Sequence, residues 1–289
     1  MKIVVLSGKG GVGKSLVSSS LSILFQKESN LLPLALDCDV DTPNLAVWLN
    51  EIGRWEKNKK ISLSEKPDID NSKIKNAKTC VEKCKFNALK VKNGRLELNP
   101  FLCEGCGACE VFCPKGAIKM KSVKNGSIKV KKTKYGFYLV VGQLFPGETG
   151  SGKIVEVLKK EAEKYEHDVT IIDSAPGTGC PVIAALKDAN LALLVTEPTL
   201  SAFSDLKRVF KLIQYFKIDW KLIINKWDIN LKNTKEIEKW GKGHILGKIS
   251  YDKKIFQSVA RLKPIIETDL KARKEIEKIF KLLLTENKY

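Results

Sequence analysis

Gly8-Lys9-Gly10-Gly11-Val12-Gly13-Lys14-Ser15 follows the apolar run Ile3-Val4-Val5-Leu6 and leads into a stretch of helical periodicity from Lys14 to Gln26. A glycine-rich turn between a strand and a helix aims backbone N–H groups and the positive end of the helix dipole at one spot. That spot attracts a phosphate. With the spacing Gly-x4-Gly-Lys-Ser, Lys14 should reach the β- and γ-phosphates of a nucleotide and Ser15 should meet Mg²⁺. Gly147 to Lys153 repeats Gly-x4-Gly-Lys, but Ile154 stands where the metal needs a hydroxyl, so that stretch is set aside as a nucleotide site.

Outward from this loop, short apolar β-branched runs alternate with helix-length amphipathic stretches. The pattern predicts an α/β fold with a mostly parallel sheet and helices on both faces. Strands are expected at Lys2–Ser7, Leu32–Leu36, Phe137–Val141, Val169–Asp173, Leu191–Thr196, Leu222–Asn225 and Ile245–Ile249. Helices are expected near Lys14–Gln26, Lys153–Tyr165, Ala202–Tyr215, Thr234–Trp240 and Leu270–Leu284. The last of these carries Ile276, Ile279, Phe280 and Leu283 at helical spacing among lysines. It reads as a cover for the sheet, with a basic membrane-surface helix as the lesser reading.

The rhythm breaks once, between about Trp55 and Tyr135, where Lys, Asn, Gly and six of the eight cysteines take over. This predicts one discontinuous domain over 1–54 and 136–289, with an inserted module at 55–135. Glu56 to Lys134 also holds 20 Lys or Arg against 8 Asp or Glu, a surplus of +12 within a chain of net charge +18. Lysine-rich solvated surface accounts for this, since heat-adapted proteins are enriched in Lys. The alternative is a docking face for an acidic protein. Aromatic residues are not interleaved with these lysines as base stacking requires, so nucleic-acid binding is a lesser reading. Met1-Lys2 moves straight into a strand, and no apolar run is long enough for a membrane span, which predicts a cytoplasmic protein. In that compartment the cysteines read as metal ligands or reactive thiols.

Cys103-x2-Cys106-x2-Cys109-x3-Cys113-Pro114 has the spacing of a bacterial ferredoxin run, and zinc motifs seldom line up three cysteines at such intervals. In two-cluster ferredoxins the fourth cysteine of each run ligates the other run's cluster. Upstream, Cys80-x3-Cys84 resembles the end of such a run, but Ile74 and Ala77 occupy the two preceding ligand positions. The expectation is one [4Fe-4S] cluster on Cys84, Cys103, Cys106 and Cys109. Cys80 and Cys113 are left over as buried thiols, a redox-labile disulfide, or half a site completed by a partner.

Asp37 and Asp39 end the run Leu34-Ala35-Leu36, and Asp173 ends Val169-Thr170-Ile171-Ile172. Carboxyl ends of parallel strands are where open α/β sheets place ligands. Asp37 and Asp173 are therefore candidates for Mg²⁺, and Asp39 for orienting the attacking water.

Together, Lys9 to Ser15, Leu36-Asp37-Cys38-Asp39 and Asp173-Ser174-Ala175-Pro176-Gly177 resemble the deviant Walker A, switch I and switch II segments of the MinD/ParA/Mrp ATPases, including relatives with an inserted ferredoxin domain. The resemblance implies a P-loop NTPase of the SIMIBI type that sandwiches ATP in a homodimer, with Lys9 reaching the nucleotide of the partner subunit. Lys9, Lys14 and Asp39 would be catalytic, and Gly8 to Ser15 would cradle the nucleotide. The family's adenine-contacting asparagine falls on Asn225, although Asn225-Lys226-Trp227-Asp228 also reads as a guanine-recognition motif. Cys180 lies at the offset from Asp173 where the nitrogenase iron protein carries a cluster ligand, yet it reads first, like Cys38, as a small buried thiol. The functional expectation is ATP hydrolysis coupled to electron transfer, or to cluster delivery to an acidic redox or apo-iron–sulfur partner. A MinD- or ParA-like positioning ATPase on a membrane or DNA is the alternative, and a redox sensor with negligible turnover a third.

Overall fold

The computed structural model describes residues 1–286. The chain runs through β1 (Lys2–Leu6), α1 (Lys14–Glu28), β2 (Pro33–Cys38), α2 (Leu45–Trp48), β3 (Lys57–Ile61) and β4 (Ser64–Ile69). After these come α3 (Ala77–Lys83), β5 (Leu89–Lys92), β6 (Arg95–Leu98), α4 (Ala108–Phe112), β7 (Ile118–Val123), β8 (Gly126–Lys132) and β9 (Tyr138–Leu144). The remainder is α5 (Ser151–Ala162), β10 (Val169–Ser174), α6 (Cys180–Leu186), β11 (Leu191–Thr196), α7 (Leu200–Phe216), β12 (Asp219–Asn225), α8 (Leu231–Trp240), β13 (Ile245–Ile249), α9 (Lys253–Ala260) and α10 (Lys271–Glu286).

Nine strands form the main sheet in the order β13-β12-β11-β1-β10-β2-β9-β8-β3. The pairings from β13 across to β9 are parallel, and β8 and β3 add an antiparallel margin. Every residue of β2, β10 and β11 is buried, as expected of parallel strands covered on both faces. One apolar layer joins the sheet to α1 and α10, and the other joins it to α5, α6, α7 and α8. As expected, α10 covers the sheet. Ala272, Ile276, Ile279 and Phe280 are buried, and Phe280 meets Phe25 of α1 edge to face at 5.0 Å.

Helix α1 is enclosed nearly all round, which explains its run of serines. Ser22 returns its hydroxyl hydrogen to the Ser18 carbonyl, and the Ser18 hydroxyl reaches both the Lys14 carbonyl and Asp173 Oδ1, so a small polar side chain can be buried there without losing a partner. No described helix is long and apolar enough to cross a membrane.

The expected insertion at 55–135 is placed differently at its margins. β3 and β8 fall inside those bounds but continue the main sheet, and the separate lobe lies between them. These strands are rich in lysine and so lack an apolar signature. Lys59 and Lys60 are exposed on the last strand, where charge discourages pairing with another chain. The lobe contains the ribbon β4–β7, the hairpin β5–β6 and the short helices α3 and α4. Asn93 and Gly94 turn the hairpin with φ of 50° and 74°, as a two-residue turn between strands requires.

Candidate functional site

Cleft residues come from the carboxyl ends of β1, β2, β10, β12 and β13, as the strand order requires of an open parallel sheet. The loop after β1 is packed too closely for side chains at two glycines. A Cβ on Gly8 would fall 2.2 Å from the Asp205 carbonyl carbon of α7, and one on Gly13 would fall 2.3 Å from Asn225 Nδ2. Gly13 also has φ of 106°, in the left-handed region, immediately before α1 begins. The end of β12 ties this loop down: Asn225 Nδ2 donates to the Val12 carbonyl at 2.8 Å, and Lys226 Nζ to the Gly11 carbonyl at 3.1 Å.

A cavity of about 240 Å³ opens above the loop, lined by Gly10, Gly11, Gly13, Lys14, Ser15, Asp39 and Asn225 among others. Lys14 is buried there. Asp37 and Asp173 lie side by side in register on β2 and β10, both buried. Burial, opposed by the Lys14 charge and by hydrogen bonds from Ser15 and Ser18, leaves the Asp173 carboxyl raised to about 6. Burial and the neighbouring Asp173 also push Asp37 well up, against the backbone N–H groups of Leu45 and Asp39 whose hydrogen bonds it accepts. Asp39, half-buried at the cleft, is raised by burial against the pull of Lys14. A hydroxyl and closely set carboxylates form the hard-oxygen donor set that suits Mg²⁺. Within it Ser15 and Asp173 face the phosphate loop, whereas both Asp37 oxygens are already engaged by backbone amides and fix the turn leading to α2.

Lys9 is absent from the lining of its own cleft. Its Nζ lies 3.3 Å from Ser201 Oγ and 3.8 Å from Glu197 Oε1, and the side chain is 43% exposed.

Asp228, the last residue of the guanine-type motif, does not line the cavity. Its Oδ1 accepts the Tyr251 N–H at 2.8 Å. That oxygen serves the loop after β13. The opposite wall, with Trp48, Tyr251 and Phe256, was missed from the sequence. Tyr251 follows the carboxyl end of a strand, the one signal that could have pointed to it.

Cys84, Cys103, Cys106 and Cys109 line one smaller cavity of about 70 Å³ in the lobe, together with Phe86, Leu89, Leu98 and Met120. The Ala88 N–H donates to Cys84 Sγ at 3.3 Å. Burial raises the Cys109 thiol, and the nearby Cys103 and Cys106 raise it further. Gly105, with φ of 66°, lets this run pass against the backbone of β4. The four thiols are thus neighbours, but among the described residues no group of three or more His, Cys, Asp or Glu side chains is gathered closely enough to hold a metal ion. The four expected ligands thus share a cavity lining but are not gathered as a coordination site. Cys80 and Cys113 pair with each other in a disulfide, Cα to Cα 5.3 Å. Cys38 is buried as expected, but Cys180 is exposed, a correction. It begins α6 against Gly152 of α5.

The fold and the cleft define a P-loop nucleotide-binding protein with a mostly parallel sheet. The profile of the CobQ/CobB/MinD/ParA nucleotide binding domain matches residues 3–265, and the chain belongs to that family of ATPases. It is 38% identical to an uncharacterized protein of Methanocaldococcus jannaschii over 80% of this chain and 79% of that one. It is 28% identical to an uncharacterized ATP-binding protein of the same organism over 98% of both. A stretch of 42 residues, 14% of the chain, is 45% identical to a quarter of an uncharacterized ferredoxin from that organism. Among solved structures, the septum site-determining protein MinD of Pyrococcus horikoshii complexed with Mg-ADP superposes with a TM-score of 0.60 at 16% identity, covering 100% of this chain and 99% of that one. A plasmid partition protein of Borrelia burgdorferi bound to AMPPNP gives 0.55 at 16% identity, covering 99% and 98%.

Proposed function

We propose that the protein is an ATP-driven switch that closes as a homodimer around Mg²⁺-ATP, Lys9 of each copy serving the nucleotide of the other. The observation that carries this reading is the division of labour between two lysines of one loop. Lys14 is buried in its own cleft, while Lys9 is turned out of it and half exposed. A cation delivered from the partner would stabilise the charge that develops on the transferring phosphoryl. Lys9→Ala is expected to retain ATP binding and lose turnover by about a hundredfold or more. Unchanged turnover would sink the trans role.

What the switch drives has two readings, each with its own support. The four-thiol cavity, the N–H donated to Cys84 Sγ and the ferredoxin-like stretch support one [4Fe-4S] cluster on Cys84, Cys103, Cys106 and Cys109, delivered or used for electron transfer to an acidic partner. Such a cluster would supply one-electron chemistry, and the chain's own part is to present four thiolates in an apolar recess. The whole-chain likeness to cell-division and plasmid-partition ATPases supports the second reading, a positioning ATPase acting on a membrane or DNA, and weighs more at the level of the fold. Iron and acid-labile sulfide counting on anaerobically prepared protein separates them. About four irons per chain supports the first, and none, together with ATP-dependent sedimentation on vesicles or DNA, supports the second.

A further inference from the structure

Glu197 closes β11 at the level of the phosphate loop, is 8% exposed, and sits between two cations from different elements. Its Oε2 accepts Lys226 Nζ at 2.7 Å, and its Oε1 lies 3.8 Å from Lys9 Nζ. Lys226 in turn donates to the Gly11 carbonyl, so the carboxylate is fixed from one side and offers its other oxygen to Lys9. Ser201 Oγ, 3.3 Å from Lys9 Nζ, completes the seat. We infer that Glu197 is a positioning residue that parks Lys9 on its own subunit, so that closure of the ATP-bound dimer requires exchange of this carboxylate for the phosphates of the partner's nucleotide.

The inference rests on the trans role of Lys9 and adds what holds that lysine before closure. Three features suit the carboxylate to the task. It is nearly buried, so the attraction is less screened than at an open surface. It does not itself line the cleft and reaches it only through Lys226, so it acts on Lys9 from outside the nucleotide cavity. Lys226 remains as its counter-charge when Lys9 leaves, so release does not strand a buried anion. Closure therefore competes with an ion pair that exists only in the open subunit, which raises the concentration of protein needed to dimerise.

The test is the midpoint of AMPPNP- and Mg²⁺-driven self-association, followed by sedimentation velocity for the wild type, Glu197→Gln, Lys9→Ala and the double variant. Glu197→Gln keeps the shape and the hydrogen-bonding reach of the side chain while removing its charge. It is expected to lower the dimerisation midpoint about fivefold, the equivalent of about 1 kcal/mol. In the Lys9→Ala background the same substitution is expected to change nothing, which a merely structural role of Glu197 would not produce. High salt should move the wild-type midpoint towards that of the variant. If Glu197→Gln leaves the midpoint unchanged, or shifts it equally without Lys9, the parking role is overturned while the trans-lysine reading stands. If the wild type does not dimerise with nucleotide, or Lys9→Ala retains full turnover, the trans-lysine reading itself fails and the parking role with it.

Discussion

In the nucleotide-binding half, α1 is walled in by the sheet on one side and by α2 and α10 on the other. The loop ahead of it is held by Asn225 and Lys226 from two strands away, at the end of β12. The cysteine lobe has a core of five buried side chains, Cys80, Leu89, Leu96, Cys113 and Ile118, two of which are the halves of its disulfide. So small a core cannot hold a fold by burial alone, and natural modules of that size add a cross-link or a metal. The two regions therefore place their binding groups by different means: one by packing on two faces of a sheet, the other by sulfur chemistry. Between them, Asn125 accepts the Leu63 N–H and donates to the Thr149 carbonyl, and Lys66 pairs with Glu148 at 2.9 Å with little exposure. The lobe is thus docked on the segment that leads into α5.

The largest expected effect falls in the packed half and is local. Lys14→Ala removes the cleft's buried cation while leaving the surrounding core intact, so nucleotide binding and turnover should fall by about a hundredfold or more without loss of folding. Isothermal titration with AMPPNP and a steady-state assay would check it. A variant that also unfolds would show that the cleft is less independent of its scaffold than the packing indicates.

The next expected effect should be confined to the lobe. Cys80→Ser opens a bridge spanning 33 residues, worth about 3–4 kcal/mol to a small module in the chain-entropy account. Amide exchange within 64–123 should accelerate by roughly a hundredfold or more, while exchange in β1, β10 and β11 stays as it was. Equal acceleration in both regions would break the comparison, since the lobe would then share the stability of the sheet.

The same contrast governs what was legible in the sequence. β1, β2, β10, β11 and β12 announce themselves because a strand buried on both faces must be a continuous apolar run. β3 and β8 do not, because a margin strand with one face in water tolerates Lys57, Lys59, Lys60 and Lys129. α6 and α9, of seven and eight residues, are too short for a clear helical period. Lys14, Ser15 and Asp173 were readable because phosphate chemistry fixes residue type at fixed spacing. Glu197, Tyr251 and Phe256 were not, because they reach the loop or its cleft only through the order of the strands, which no local spacing encodes. In the lobe, Cys84, Cys103, Cys106 and Cys109, grouped by their spacing, line one cavity, and the pairing of Cys80 with Cys113 was one of three alternatives left open.

The smallest expected effect concerns charge in the packed half and its sign can be worked out. Asp173 has a folded pKa of about 6 against an ordinary value of 3.8, so between those values the native state binds more protons than the unfolded chain. Raising the pH through that window therefore removes stability, up to about 1.4 kcal/mol for each pH unit. Above about pH 6 the carboxylate is charged beside Asp37 and Asp39, with Lys14 as the opposing cation. Mg²⁺ with a nucleotide favours that ionised form, so it competes with the proton and restores what ionisation cost. Thermal unfolding from pH 4.5 to 7.5 should then show stabilisation by Mg²⁺-AMPPNP that grows up to about pH 6 and levels off above it. In Asp173→Asn the growth across that window should be lost, because no proton is displaced there. The lobe supplies the internal control, since among the described residues no pair of buried carboxylates lines its cavity. If stabilisation by Mg²⁺-AMPPNP instead diminishes with rising pH, the ionised Asp173 is not what the metal meets, and the donor set around Ser15 must be redrawn.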